Sequence, residues 1–378
     1  MRRCLVLLAA LPLAAFAACG EAADDVVPAG TGGTASDPVE GGRESGGGTY
    51  LWGGNSSGGA APGPIQGPRL KESLPPAAEQ VAPEAVPEIR YLEDLRVRAE
   101  REVLFYEHGV VDTGFQEVLW ADGEGRFRLE ALESLDDDDP QWDPVSPELQ
   151  MEYEVRGGFL LRFRDPHLGH PHAYTTNYDW YRDPQPHQVA GRACTLWAGR
   201  SRHAFGGVDL IVDDASGLLL GWSLYDPGLV ERASCRVKSV DLDPDLKGIV
   251  WQQRAVASEE YDPQLHQQRV GFTPIEPLYV PPGFYEKSQE VLASGPLLGV
   301  PHDLHVRVYH DGVQSLFVVE QRAAGAVPGA TEEPVTTVRH SRVAGIEMVE
   351  GRIDGVEIWI AGTLPAVELE TIFGSLVR

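Results

Sequence analysis

The sequence predicts a mainly β protein, in which an antiparallel sheet with one face open to water is followed by a smaller α+β domain. Apolar and charged residues alternate along many segments, as at Phe127, Leu129 and Ala131, which is the pattern of strands with one buried face. Turn signals such as Asp311-Gly312 separate several of these segments. The length of 378 residues leaves room for about two domains once the N-terminal segments are set aside.

The first domain, predicted over residues 88–265, begins with an amphipathic helix and continues in strands. Leu92, Leu95 and Ala99 fall on one helical face within the charged segment "IRYLEDLRVRAERE". Residues 151–164 then predict two strands around a Gly157-Gly158 turn. Four later strands, with turns between them, predict a meander; they lie at about 192–198, 206–213, 218–225 and 232–240.

The second domain, predicted over residues 272–378, is α+β. "DLHVRVYHDGVQSLFVVE" and "VEGRIDGVEIWIAG" each predict a pair of strands. The chain then ends in a predicted helix, in which Pro365 suits the first turn. The apolar stripe of this helix consists of Leu369, Ile372, Phe373 and Leu376.

The N-terminus predicts export and a lipid anchor. Residues 1–18 carry a short basic start and an apolar stretch that is too short to span a membrane in the mature protein. Two alanines before Cys19 resemble the bacterial lipoprotein pattern, in which the thiol is acylated; an ordinary signal peptide is the alternative. Residues 19–87 are rich in Gly, Ala and Pro and predict a disordered tether. We therefore expect a membrane-anchored lipoprotein of the bacterial cell envelope that faces the periplasm.

Composition and motifs argue against several classes of function. The net charge of −26 makes nucleic acid a poor partner. The sequence has no G-x-S-x-G elbow, no phosphate-binding G-x-x-x-x-G-K-[ST] loop and no dinucleotide fingerprint in a βαβ context. We therefore expect neither enzyme activity nor a cofactor.

One histidine-rich stretch is the strongest candidate for a metal site. His167, His170 and His172 lie within six residues, next to Asp165, and imidazoles at such spacing can converge on zinc or copper. Two prolines and a glycine in the same stretch favour a polar loop instead, with no spacing that points the three rings at one ion. No metal site is predicted here.

Two groups of short motifs follow one another in a recognisable order. In the first domain they are "VAGRACTLW" at 189–197 and "DDASGLLL" at 213–220. In the second domain they are "YVPPGF" at 279–284, "VRVYHDGVQSLFVVEQ" at 306–321 and "GVEIWIAGTLPAVELETIFGSL" at 355–376. These motifs resemble the MucB/RseB family of periplasmic sigma-factor regulators. His310 stands where that family usually has Ser.

The resemblance implies a fold, ligands and a role. The fold is a curved antiparallel half-barrel sheet around helices, shared with LolA-type lipoprotein carriers, followed by a small α+β domain. The concave face of such a sheet can hold a lipid or a lipoprotein acyl chain. RseB-type proteins bind the periplasmic segment of an anti-sigma factor and release it on envelope stress. A LolA-type carrier of a hydrophobic ligand is the alternative, and the predicted anchor and tether depart from the family's soluble regulators.

Cys194 and Cys235 are the cysteines left after removal of the signal and the predicted lipidation of Cys19. In an oxidising compartment a disulfide is the obvious pairing. The predicted meander places three strand spacings between them, roughly 14 Å in a flat sheet, which exceeds the reach of a disulfide. A Cys194–Cys235 disulfide and two buried thiols both stay open.

Overall fold

Two antiparallel sheets make up the described part of the chain. The computed structural model describes residues 74–376 apart from 108, 137–138, 148, 152, 155–163, 252–257, 294–301, 324–337 and 344–345. The first sheet is built from β1 (Glu79–Val81), β2 (Arg96–Glu107), β3 (Val110–Asp122), β4 (Phe127–Asp136), β5 (Asp139–Pro144), β6 (Tyr178–Val189), β7 (Arg192–Ser201), β8 (Gly207–Asp213), β9 (Leu219–Tyr225) and β10 (Glu231–Asp241). A short helix, α1 (Pro171–Asn177), precedes β6.

The first sheet is open and strongly curved. Its strand order is β1-β6-β7-β8-β9-β10-β2-β3-β4-β5, so that β1 and β5 form its two edges. Although three strands separate β6 from β10, Cα atoms of these two strands approach within 8 Å. In a flat sheet four strand spacings would hold them roughly 19 Å apart. A curved sheet followed by a smaller α+β unit confirms the predicted fold class.

The predicted meander is confirmed. Strands β7 to β10 are consecutive neighbours in the sheet, and each overlaps its predicted range. The turn after β8 includes Gly217, whose φ of 72° lies in the left-handed region that glycine adopts without strain. Turn residues and alternation together were sufficient for this part of the fold.

The helix predicted from Leu92, Leu95 and Ala99 is wrong. A single 3-10 turn, Leu92–Asp94, leads directly into the long strand β2. Burial alternates along β2, and the strand is paired on both sides, with β3 and with β10. This two-sided pairing outweighs the weak helical period of the segment, because it satisfies the backbone of nearly the whole strand.

The strand predicted to begin at Met151 is also wrong. Met151 and Tyr153 are helical, as are the other described residues of 147–154. Leu149 and Tyr153, one helical turn apart, are buried in the core of the first sheet, and the Tyr153 ring lies 5.8 Å from that of Phe115. The segment therefore covers the sheet instead of extending it. Gly157-Gly158 and the second predicted strand lie outside the described residues.

The ordered regions begin earlier than the predicted boundaries. The tether was predicted to end at residue 87, but β1 pairs with β6 and Val86 is buried. The first domain was predicted to end at residue 265, but β11 (Ser258–Glu260) pairs with β12 in the second sheet. The signal and the remaining tether, residues 1–73, lie outside the described residues. In the described ranges, no helix has the length and apolar content needed to cross a membrane.

The second sheet has the strand order β11-β12-β13-β14-β17-β16-β15. Its remaining strands are β12 (Tyr285–Leu292), β13 (Leu304–His310), β14 (Ser315–Arg322), β15 (Arg339–Val343), β16 (Ile346–Ile353) and β17 (Val356–Gly362). Two helices accompany it, α2 (Pro263–Val270) and α3 (Ala366–Gly374). Both predicted hairpins and the terminal helix are confirmed, and the four residues of the apolar stripe are buried.

Candidate functional site

A buried polar joint connects the two sheets. We define the joint as Asn177 and Tyr178, at the end of α1 and the start of β6, with Asp311 and Gln314 from the turn between β13 and β14. Tyr178 Oη donates to Asp311 Oδ2 at 2.7 Å, and Asn177 Nδ2 donates to the Asp311 carbonyl at 2.7 Å. Gln314 Nε2 donates to the Phe205 carbonyl at 2.9 Å. All four side chains are buried. Each of these hydrogen bonds is therefore made away from water, where it is electrostatically stronger than at the surface.

Apolar side chains are exchanged across the joint. Val313, from the second sheet's turn, packs into the core of the first sheet. Phe205, from the first domain, packs into the core of the second sheet, with its ring 6.1 Å from that of Phe284. Each core is therefore completed by a residue of the other domain, which fixes the two sheets relative to each other.

Asp311 is the central acceptor of the joint. Its Oδ1 accepts from the backbone N–H groups of Val313 at 2.8 Å and Gln314 at 2.7 Å. Burial raises the pKa of Asp311 to about 6, although the hydrogen bonds from Gln314, Val313 and Tyr178 favour the charged form. The three hydrogen-bond donors therefore offset only part of the desolvation cost of burying the Asp311 carboxylate.

His310 closes the joint beside Asp311. Its Nδ1 accepts from the Gly312 N–H at 2.9 Å, and its ring lies close to His167 across the domain boundary. Burial, with the neighbouring charges of Lys287 and His167, lowers the pKa of His310 to about 3. The ring is therefore neutral, since a second proton would face the Gly312 N–H.

His310 should make the protein sensitive to acid. Because the pKa of His310 is about 3 in the folded chain and about 6.5 when unfolded, its contribution to stability is lost as the pH falls below 6.5. The loss between pH 7 and pH 5 is about 2 kcal/mol. Asp311 acts in the opposite direction, because its raised pKa adds stability as the pH falls from about 6.

We therefore predict that His310→Ser retains about 2 kcal/mol more of its pH 7 stability at pH 5 than the wild type does. Urea unfolding at the two pH values measures this difference. His172→Ser, at an exposed position, is the matched control and should follow the wild type. An unchanged pH slope in His310→Ser would contradict the assigned role of His310.

An open cleft of about 640 Å³ lies between the two sheets. The first domain contributes the end of β2 and the start of β10, and the second contributes β15 and β16. The lining residues are Glu107, Asp226, Val230, Arg232, His340, Ser341 and Glu347. A cleft of this size between the two sheets falls in the range of volumes that ligand sites usually have.

The described lining of the cleft is acidic, and the arginine in it, Arg232, contacts carboxylates. Arg232 Nε lies 3.1 Å from Asp226 Oδ2, and its Nη1 lies 3.5 Å from Glu347 Oε1 on the second sheet. Glu107 adds a third carboxylate, while His340 Nε2 lies 2.7 Å from Glu370. Val230, which is 42% exposed, adds an apolar spot. The cleft therefore suits a ligand with positive and apolar groups.

The histidine-rich loop contacts the turn between β13 and β14, where Gly169 N–H donates to the Gly312 carbonyl at 2.8 Å, and its three rings do not converge. His167 lies between the Asp165 carbonyl at 3.0 Å and Glu93 at 2.7 Å. Burial lowers the pKa of His167, but the hydrogen bond and charge of Glu93 outweigh it and raise the value above the usual range. His170 caps α1 by accepting from the His172 N–H at 3.2 Å. No group of three or more metal-ligating side chains occurs among the described residues.

A buried network of charges occupies the inner face of the first sheet, the face that carries Val103 and Phe115. Glu117 accepts from Arg101 at 3.0 Å and from Arg164 at 2.5 Å, and Tyr153 Oη also donates to it. Asp165 lies 2.6 Å from Arg101 and 2.9 Å from Arg164.

The two arginines control the charge state of Asp165. Burial alone would raise the pKa of this carboxyl, but the charges of Arg101 and Arg164 outweigh the effect and hold the value below its usual range. The inner face is where the resemblance places an acyl chain. In this chain that face carries two arginines and two carboxylates joined by four ion pairs, so it is not purely apolar.

Cys194 and Cys235 are free, buried thiols. Strands β8 and β9 lie between their strands, β7 and β10. The register also places them on opposite faces: Cys235 pairs with Trp222, Trp222 with Leu210, and Leu210 with Trp197, three residues from Cys194. Residues three apart on a strand point to opposite sides. A Cys194–Cys235 bridge is therefore not formed in this structure.

Comparison with known proteins gives structural matches alone. Neither a protein-family model nor a curated protein matches the chain. Three solved structures of MucB are similar to it. MucB in complex with MucA(peri) is 17% identical, with 74% of this chain and 92% of that chain covered and a TM-score of 0.42. The MucA/MucB complex of Pseudomonas aeruginosa is 17% identical, with 74% of this chain and 93% of that chain covered and a TM-score of 0.42. MucB alone is 14% identical, with 75% of this chain and 93% of that chain covered and a TM-score of 0.41.

Proposed function

We propose that this chain is an RseB-like regulatory protein that binds the periplasmic segment of an anti-sigma factor. The observation that carries the proposal is that two motifs of the second domain meet the first domain in one place. "YVPPGF" and "HDG" supply Gly283, Phe284 and Asp311, and all three contact the first domain at the joint. These two motifs thus have a common structural role, which is to hold the second sheet against the first domain.

We propose that the partner binds in the cleft. It is formed by both sheets and bridged by Arg232, so that a bound segment would contact both domains at once. A binding protein of this kind needs no catalytic group, only a preformed surface whose geometry is held by buried contacts. The joint supplies such contacts between the two domains, at Asp311 and Gln314.

The packing of the inner face favours this proposal over a LolA-type carrier. Tyr153 and the network around Glu117 fill the described part of that face. Where the face meets Phe317 of the second sheet, the remaining cavity is about 40 Å³. Sites for small ligands usually measure about 300–1,000 Å³. Lipid sensing therefore has weaker support in this chain than protein binding.

Binding of anti-sigma segments tests the proposal. The full mature chain is titrated with the purified periplasmic segments of the anti-sigma factors encoded in the same genome, and binding is measured by calorimetry. We expect one segment to bind with a Kd of about 1 μM or tighter. Absence of binding by every segment, together with acyl lipid that co-purifies with the chain, would support the carrier instead.

We also propose that the mature chain begins at an acylated Cys19, so that a lipid anchor ties it to the membrane. Cys19→Ala should move the protein from the membrane fraction to the soluble periplasmic fraction, since one acylated residue supplies the anchor. Cell fractionation with mass spectrometry of the N-terminus measures this change. Cys4→Ala, inside the signal, is the matched control and should stay in the membrane fraction. Cleavage before another residue would contradict the anchor.

A further inference from the structure

The free edge of the second sheet borders the cleft. Among the described strands, β15 is the last strand of that sheet and pairs with β16 alone. Two of its residues, His340 and Ser341, are exposed and line the cleft. The outer side of an edge strand presents N–H and C=O groups that another extended chain can pair with.

The register identifies the backbone groups that face outward. Val343 pairs with Ile346 at the closed end of the hairpin, and Ser341 pairs with Met348. The closing pair of such a hairpin is hydrogen-bonded, and hydrogen-bonded pairs alternate with non-hydrogen-bonded ones. The N–H and C=O groups of His340 and Arg342 therefore point away from β16, toward the free edge.

The charge of the cleft selects the kind of chain that can lie along this edge. Glu107, Asp226 and Glu347 line the cleft next to β15, and the cation among them, Arg232, contacts two of these carboxylates. The lining residues carry more negative than positive charge, as does the whole protein, with a net charge of −26. A segment with alternating basic side chains would direct them at these carboxylates while its backbone pairs with β15.

We propose that the partner binds by β-augmentation: a basic, extended segment adds to β15 as a further strand. This inference rests on the proposed function, because it assigns the segment to the anti-sigma partner. The backbone of the segment pairs with His340 and Arg342. Its cationic side chains lie opposite Glu107 and Glu347.

Proline at position 342 tests the pairing. Arg342→Pro removes an outward N–H and is compatible with an edge strand, and Arg342→Ala is the matched control. The probes are a labelled synthetic peptide that alternates lysine and threonine, its counterpart with glutamate and threonine, and the anti-sigma segment that binds the wild type. We expect Arg342→Pro to weaken the lysine peptide and the anti-sigma segment about tenfold relative to Arg342→Ala.

A charge reversal supplies a second variant that leaves β15 untouched. Glu107→Lys, at an exposed position, should weaken the lysine peptide about tenfold at low salt and by much less at 1 M salt, a concentration at which charges are screened within about 3 Å. Equal binding of the lysine and glutamate peptides, or equal affinity of Arg342→Pro and Arg342→Ala, would overturn the proposal.

The two proposals fail in different ways. If the anti-sigma segment binds the wild type and Arg342→Pro equally, strand addition is wrong and the proposed function stands. If no anti-sigma segment binds the wild type but the lysine peptide binds and responds to Arg342→Pro, the edge is a binding site and the anti-sigma assignment is wrong.

Discussion

Glu117→Ala is expected to lower the free energy of unfolding by about 3–5 kcal/mol. The side chain of Glu117 is fully buried, and it accepts from Arg101, Arg164 and Tyr153. Its removal leaves two buried guanidinium groups with Asp165 as the remaining carboxylate partner in this network. An uncompensated buried charge costs far more than a lost surface pair, because water cannot replace the missing partner.

Urea unfolding of the full mature chain measures this loss. Glu124→Ala, at an exposed position in the turn after β3, is the matched control and should change stability by less than about 0.5 kcal/mol. If Glu117→Ala does not fold, Glu117→Gln provides the measurement, since the amide keeps an acceptor and should cost less. A loss below 1 kcal/mol for Glu117→Ala would mean that water reaches the network.

Asp311→Ala is expected to destabilise the contact between the two sheets by about 2–4 kcal/mol at pH 7. The substitution removes the acceptor of the Tyr178 hydroxyl and of two backbone N–H groups, those of Val313 and Gln314. Each buried donor left without a partner costs about 1–3 kcal/mol. Relief of the buried charge, which raises the pKa of Asp311 to about 6, offsets part of this cost.

The same variant should separate the unfolding of the two domains. We expect the second sheet to unfold before the first in Asp311→Ala, which gives two transitions in a thermal scan where the wild type has one. Asp179→Ala, which breaks a partly exposed pair with Arg202 near the joint, is the matched control and should cost less than about 1 kcal/mol. A single unshifted transition in Asp311→Ala would contradict the importance of the joint.

Local patterns predicted the strands but could not predict β2. Leu92, Leu95 and Ala99 fit a helical period, whereas Val97, Ala99 and Val103 fit the period of a strand, and both patterns coexist in the same charged segment. The strand conformation is decided by pairing with β3 and with β10, of which β10 is more than a hundred residues distant in sequence. The register of two strands is a property of tertiary packing, and one sequence does not contain it.

The charge network was missed for the same reason. Arg101 occupies an inward position on β2 between apolar neighbours, and a charged residue at such a position is a signal of a buried partner. The signal becomes visible only when the segment is assigned as a strand. The partner, Glu117, then follows from the register, which places the two residues side by side.

The joint and the cleft required contacts over long sequence distances. Asp311 was predicted as part of a hairpin turn, which is correct, but its neighbours Asn177 and Tyr178 lie more than a hundred residues earlier in the chain. The departure at His310, where the related motifs usually have Ser, gave a hint of a local role, and the contact with His167 explains it.

Hydrogen–deuterium exchange of the full mature chain, with and without its anti-sigma segment, tests the central proposal most directly. Saturation with the segment should slow exchange in residues 226–232 and in β15, the two sides of the cleft, while the turn after β3 remains unchanged. Saturating binding that slows neither region, or slows only the inner face of the first sheet around Arg101 and Glu117, would contradict the proposal.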